Sequence, residues 1–300
     1  MKHWKFSLLF AALSVLVACG PNVENQRKQS REERAASLRA DSAALKIAVL
    51  PTMDCLPLFI AVDDSSFKHA GLDVRLRQRN AQMDCDTLMK GGHVEGIVSD
   101  LIRTERLQRQ GTPMKYVAAT NANWQLIGNR KARLKNVSQL SGKMIAVTRY
   151  SATSYLADLA VKEAKAKEDV FRIQINDVNV RLRMLLNNEM DAMLLPEPQA
   201  TTARLWKNNV LLDAASKDIR LGVMAFNAKA LDDESRKEQL KLFVKVYNQT
   251  CDSINKNGVK HYATVISKYM GTDEKTIKAL PKMYYPHACA PREKDIARAK

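Results

Sequence analysis

The 300-residue chain has no hydrophobic run long enough to cross a bilayer. Its longest apolar stretch, Phe6 to Ala18, falls short of the roughly 20 residues a spanning helix needs. It also lacks the HExxH, GxSxG and P-loop patterns, which argues against zinc-protease, serine-hydrolase and nucleotide chemistry. No basic run is interleaved with aromatic residues, so the excess of 48 basic over 32 acidic residues, a net charge of +16, does not read as a nucleic-acid surface. The basic residues are spread along the chain. They suit a solvated surface, or a positive field that favours an anionic ligand or an acidic membrane. Cysteine is scarce, with five in the chain: Cys19, Cys55, Cys85, Cys251 and Cys289.

What is present begins with an export signal. Lys2 and Lys5 precede the apolar stretch, which stops at Leu16-Val17-Ala18-Cys19-Gly20. Small residues before a cysteine resemble a bacterial lipobox, and the resemblance implies that residues 1–18 are removed and that Cys19 is diacylated as a lipid anchor. An ordinary signal peptide with an incidental cysteine is the alternative. Gly20 and the absence of an acidic run after Cys19 favour the periplasmic side of the cell envelope. Residues 20–42 are strongly polar, with Val23 and Leu38 the only sizeable apolar side chains, so residues 19–43 read as a flexible tether with a few helical turns in REERAASLRA. With Lys2 and Lys5 gone, the net charge falls to +14, and four cysteines remain, which an oxidising compartment can pair in three ways.

The remainder is long enough for one large or two small cores. KIAVLP is a short apolar strand, and PLFIAVDDSSFKHA is a helical stretch closed by Gly71. LDVRLRQ alternates, with Leu72, Val74 and Leu76 on one face. A short helix from Asp86 to Lys90, the strand VEGIVS, the helix DLIRTERLQRQ and the strand KYVAAT complete one β-α unit. A similar unit follows: WQLIG, KMIAVT, a helix from Ala152 to Lys165, FRIQIN, the helix NVRLRMLLNN, DAMLL and a helix begun by Pro198. Such alternation implies mostly parallel sheets flanked by helices, with ligand sites beyond the carboxyl ends of the strands. After VLLD and RLGVMAF comes a long amphipathic helix, Glu234 to Lys256, followed by helices at VKHYATVISKYM and at TDEKTIKAL, the last with Thr272 as its N-cap. These helices are expected to pack on the first lobe.

In this order the stretches PLFIAVDDSSFKHAGLDVRL, VEGIVSDL, SQLSGKMIAVTRYSATSY and RLRMLLNNEMDAMLLPEP resemble bacterial ABC-transporter solute-binding proteins of the family that includes the thiamine-pyrimidine and alkylsulfonate binders. The resemblance spans nearly all of the mature chain. It implies an α/β fold of the two-lobed periplasmic-binding-protein type II (venus flytrap), each lobe a mostly parallel sheet flanked by helices, with extra C-terminal helices. Residues 44–122 and 215–300 would form lobe 1, and residues 123–214 lobe 2. It further implies a monomer that captures a small-molecule solute between the lobes, needs no cofactor or metal, catalyses nothing, and delivers its cargo to an ABC permease and its ATPase.

The cleft-lining candidates follow from strand ends. They are Thr52, Met53, Asp54 and Cys55 after the first strand, Gln82, Met83, Asp84 and Cys85 after the second, and Ser99 and Asp100 after the third. Trp124 lies near the lobe crossing, where it either stacks on a planar ligand or joins the core. Arg149, Ser151 and Thr153 begin a helix, a place that favours an anion or simply forms an N-cap. Asp177 and Glu197 follow later strands, Glu197 standing between two prolines that present its carboxylate toward the cleft. The triplet Met-Asp-Cys occurs twice, at 53–55 and 83–85, and carries three readings: a Cys55–Cys85 disulfide, a soft-metal or thiol-reactive site, or ordinary loop contact. Cys251 and Cys289 are the natural second disulfide pair, with a buried free thiol as the alternative for Cys251. A metal- or redox-sensing lipoprotein and an enzyme on the same fold are the rival functions.

Overall fold

A computed structural model describes residues 23–300; the stretch expected as an export signal and Cys19 lie outside the described residues. The stretch expected as a flexible tether is instead a single 21-residue helix, α1 (Val23–Ala43). It is rich in Ala, Arg, Glu and Gln and has neither Gly nor Pro, so intrinsic propensity sustains it although its side chains from Arg27 to Ala40 are all exposed. Among the described residues, no helix is long and apolar enough to cross a membrane.

From Leu45 onward, two α/β lobes are built to one plan. The first runs β1 (Leu45–Val49), α2 (Leu56–Asp63), α3 (Ser66–His69), β2 (Val74–Gln78), α4 (Gln82–Lys90), β3 (Gly96–Asp100), α5 (Leu101–Arg109) and β4 (Met114–Ala119). The second runs β5 (Trp124–Gly128), β6 (Met144–Val147), α6 (Ala152–Ala164), β7 (Phe171–Gln174), α7 (Val178–Leu186), β8 (Ala192–Pro196), α8 (Gln199–Leu205) and β9 (Asn209–Asp213). The chain then returns to the first sheet as β10 (Gly222–Asn227) and closes with α9 (Glu234–Asn257), α10 (Ala263–Met270), α11 (Glu274–Ala279) and α12 (Glu293–Ala299).

Each sheet has five strands, in the orders β2-β1-β3-β10-β4 and β7-β6-β8-β5-β9. In the first, β1 pairs in parallel with β2 and β3, whereas β10 is antiparallel to both of its neighbours. In the second, β6 pairs in parallel with β7 and β8, and β5 is the antiparallel strand. The antiparallel strand of each sheet is the one that enters directly from the other lobe. Two crossings, residues 120–123 and 214–221, therefore join the lobes, the two-lobed α/β architecture that the order of elements implies.

The central strands of each sheet are covered on both faces, which is why they read as unbroken apolar runs. Leu45, Ile47 and Val49 point into a core shared with α2 and α9, while Ala48 and Leu50 join Cys85, Met89 and Ile97 on the other face. On β8, Ala192 and Leu194 point one way and Met193 and Leu195 the other. The apolar face of α9 carries Phe243, stacked on Phe67 with ring centres 5.3 Å apart. Residues of α10 and α11 enter the same core, whereas Ala299 of α12 joins a cluster with Leu101 and the second sheet. The N-cap of α11 is Asp273, which accepts from the backbone N–H of Thr276, and not Thr272 as the sequence suggests. Two candidate caps stand side by side there, and the charged one is used.

Candidate ligand-binding cleft

Carboxyl ends of strands from both sheets converge between the lobes. Thr52 and Asp54 follow β1, Asn80 and Gln82 follow β2, and Ser99 is the next-to-last residue of β3; Asn176, Val178 and Arg181 follow β7, and Pro196 ends β8. Together with Leu50, Val98 and Trp124 they line a cavity of about 20 Å³, room for about one water molecule. The lobes are shut against each other. The Met53 N–H donates to the Glu197 carbonyl at 2.9 Å and the Val178 N–H to the Asn80 carbonyl at 3.3 Å. Ala81 and Asp177 form an antiparallel bridge, and Gln199 Nε2 donates to the Pro51 carbonyl at 3.1 Å. Arg103 of α5 donates to the Arg149 carbonyl at 3.2 Å, and the Arg106 guanidinium lies 4.1 Å from the centre of the Tyr150 ring.

Five of the sequence candidates form the cavity wall: Thr52, Asp54, Gln82, Ser99 and Trp124. Trp124 joins the core of the second lobe, one of the two readings weighed for it, and its ring also borders the cavity. Burial raises the pKa of the Asp54 carboxyl, an effect that hydrogen bonds from Thr52 and Thr120 partly oppose.

The doubled triplet is not a pair of loops. Met53–Cys55 is a 3-10 turn, and Met83–Cys85 lies in the first turn of α4, which starts at Gln82 and not at Asp86. Successive helical side chains diverge by about 100°, so the three residues of a triplet cannot face one ligand. Met53 and Cys55 enter the core on one face of the first sheet, and Cys85 enters the core on the other. Met83 points outward, where Gln174 Nε2 meets its sulfur at 3.4 Å, and Asp84 is exposed. Both expected disulfides are absent, because Cys55, Cys85, Cys251 and Cys289 are free thiols. Burial pushes the Cys55 thiol up and the Cys85 thiol up to about 12. Among the described residues, no group of three or more His, Cys, Asp or Glu is placed to hold a metal ion.

The remaining candidates make contacts within the protein. Ser151 caps α6, accepting from the Thr153 N–H at 3.1 Å, while Thr153 Oγ1 accepts from the Thr148 N–H at 2.8 Å. The Asp100 carboxyl of the first lobe lies by the Ala152 N–H of α6, so the helix end expected to favour an anion already faces a carboxylate. Arg149 has an exposed side chain and contributes its carbonyl. Asp177 caps α7, accepting from the Asn179 and Val180 N–H groups at 2.8 and 2.9 Å. The Glu197 carboxylate turns back onto α8, held by the Thr201 N–H at 2.9 Å and by Arg204 at 2.7 Å. It borders a separate surface pocket with Asn121, Asn123 and Asp213.

Sequence reasoning missed the cavity residues Asn80, Asn176 and Arg181, of which Arg181 is the charged one. It is 2% exposed, and its Nη1 donates to the Leu194 carbonyl at 2.9 Å while its Nε has no partner. Burial pulls its pKa down to about 10. The signal was present: Arg181 falls on the stripe of α7 that also buries Val178 and Leu185, an arginine on an apolar face. A buried ion pair between Arg103 and Asp86 stands behind the cleft.

The family model described as NMT1/THI5 like matches residues 52–257. The chain belongs to the NMT1/THI5-like family. Solved structures share the fold of this NMT1/THI5-like chain at low identity. The ligand-binding component of an ABC-type import system from Staphylococcus aureus, with zinc bound, is 16% identical with a TM-score of 0.69, over 82% of this chain and 86% of that one. The alkanesulfonate-binding protein SsuA from Xanthomonas axonopodis pv. citri, bound to MOPS, is 16% identical with a TM-score of 0.68, over 86% and 89%. The periplasmic nitrate-binding protein NrtA from Synechocystis PCC 6803 is 13% identical with a TM-score of 0.69, over 78% and 68%. A search of curated proteins finds no match.

Proposed function

We propose that this NMT1/THI5-like chain is an extracytoplasmic solute-binding protein that captures a small molecule between its lobes and hands it to an ABC importer. The observation that carries this reading is the interlobe cleft, where Gln82 Oε1, Ser99 Oγ and Arg181 Nε are buried without a partner in the protein. Buried polar atoms are nearly always satisfied, so an unsatisfied set around one cavity marks a place where a ligand completes the hydrogen bonding. The named relatives from an ABC import system and the alkanesulfonate binder support the role.

In this reading the protein acts as a monomer. Residues 44–122 and 215–300 move as one lobe and 123–214 as the other, about the two crossings, and the closed form docks on the permease. Cys19 carries the lipid, and residues 19–43 link the anchor to the body, which raises the concentration of loaded binder near its transporter. The protein does no chemistry on its cargo. A soft-metal or redox role has less support, since the thiols of the two triplets lie in separate cores.

Two experiments test the reading. Cys19→Ser should move the protein from the membrane fraction to the soluble fraction, and membrane retention would refute the lipid anchor. Deletion of the chain should abolish uptake of a solute that purified protein binds; undiminished uptake would refute the transport role.

A further inference from the structure

The charges buried around the cleft leave little room for another. Behind and beside the cavity stand two cations, Arg103 and Arg181, against three carboxylates, Asp54, Asp86 and Asp100. Resting on the solute-binding reading above, we infer that the solute is an uncharged molecule that presents a hydrogen-bond donor beside an acceptor, as a carboxamide or ureide does, and that Asp100 holds the seat an anion would otherwise take.

The argument starts at the end of β3. Asp100 is fully buried, accepts from the Arg103 N–H at 3.0 Å on its own helix, and faces the Ala152 N–H at the start of α6 in the opposite lobe. The hydroxyls of Ser151 and Thr153 are spent on the cap of α6. An oxoanion at that helix end would meet a carboxylate in a low-dielectric setting, and like charges there repel strongly. Asp100 also sets the next group. Gln82 donates its Nε2 to Asp100 at 3.2 Å, so its Oε1 is an acceptor that lines the cavity without a donor. Opposite it, Arg181 Nε is a donor without an acceptor, and Ser99 Oγ can serve in either role. All three side chains are more than nine-tenths buried. A solute that only accepts, such as an oxoanion, leaves Gln82 Oε1 unsatisfied, and one that only donates leaves Arg181 Nε unsatisfied. An uncharged amide-type group meets both and adds no net charge to a region already balanced toward the acidic side. This separates the chain from the relatives named for nitrate and for alkanesulfonate.

The test is a thermal-shift measurement on the intact mature chain. The probes are a bacterial metabolite extract separated by ion exchange into anionic, cationic and uncharged pools, together with nitrate and MOPS as single anions. The uncharged pool should raise the melting temperature of the wild type, and nitrate, MOPS and both charged pools should not. Gln82→Leu and Arg181→Gln should each weaken the response to the uncharged pool about tenfold in the concentration required, and Gln82→Leu serves alone if Arg181→Gln fails to fold. Asp100→Asn keeps the helix cap but removes the charge, and it should gain a response to nitrate. Stabilisation of the wild type by a charged pool only, or by nitrate or MOPS, would overturn the inference while leaving the solute-binding reading in place. No response to any pool would overturn the solute-binding reading itself, and the inference with it.

Discussion

Asp100 lies at the boundary between the lobes, and its charge is held at a cost. Burial pushes its pKa from the ordinary 3.8 up to about 6, against the opposing pull of Arg103. A carboxyl whose pKa is raised on folding contributes its full stability below the unfolded-state value and loses it as pH climbs through the folded-state value. Wild-type stability should therefore fall between about pH 4 and pH 6 by roughly 3 kcal/mol on this group's account. Asp100→Asn, which cannot ionise, should lack that fall, so the variant gains on the wild type at pH 7 relative to pH 4. Urea unfolding at the two pH values measures this, and an equal difference at both would contradict it. The cysteines give a second prediction at this scale. Because Cys55, Cys85 and Cys251 are buried and Cys289 is exposed, alkylation of native protein followed by peptide mass mapping should label Cys289 and spare those three until denaturant is added. Early labelling of Cys55 or Cys85 would place the triplets back in open loops.

At the level of elements, the sequence reveals strands more readily than it reveals where helices begin. The alternation of LDVRLRQ and the apolar run of DAMLL find β2 and β8 directly, because covering a sheet face leaves a simple pattern in a strand. The start of α4 at Gln82 is hidden, since Gln-Met-Asp-Cys carries no apolar period and Ala81 caps without a side-chain bond. That misplaced start turned Met83–Cys85 into a loop and suggested a disulfide. Arg181 was lost for the opposite reason: α7 has a clear amphipathic pattern, which invites a reader to count its arginines as solvated. The cap of α11 provides the prediction at this scale. Asp273→Ala should destabilise the protein by about 1 kcal/mol, and Asp273→Asn should recover most of it. Chemical denaturation decides between this cap and Thr272, because an unchanged midpoint in Asp273→Ala would return the role to the threonine.

For the whole molecule, the repeated strand order and the two crossings set out two lobes, and in the proposed function the contacts across the cleft set the balance between open and shut. A cavity of about 20 Å³ admits nothing larger than water, so on the proposed solute-binding reading a solute enters only when the lobes part. Arg106→Ala removes the guanidinium that sits 4.1 Å from the Tyr150 ring. A cation–π contact of this kind is worth about 0.5–1 kcal/mol, so the open population should rise about two- to fivefold. Spin labels on Lys68 and Glu189, in a Cys289→Ser background, would report it as growth of the longer-distance population; an unchanged distribution would show that this contact does not hold the cleft. The fold was legible as a whole because its order of elements survives at low identity, whereas the solute depends on a few buried atoms whose orientation no pattern encodes.

The central claim is that a small molecule binds between the lobes, and Trp124 is the native probe for it. The chain has three tryptophans: Trp4 lies in the stretch proposed to be removed on export, Trp206 is 63% exposed, and Trp124 borders the cavity. In mature Trp206→Phe protein, the fluorescence of Trp124 should change saturably on titration with the solute that stabilises the fold most, and the change should weaken about tenfold in Gln82→Leu. Stabilisation that leaves Trp124 silent, or that Gln82→Leu does not weaken, would place the solute elsewhere and contradict the account.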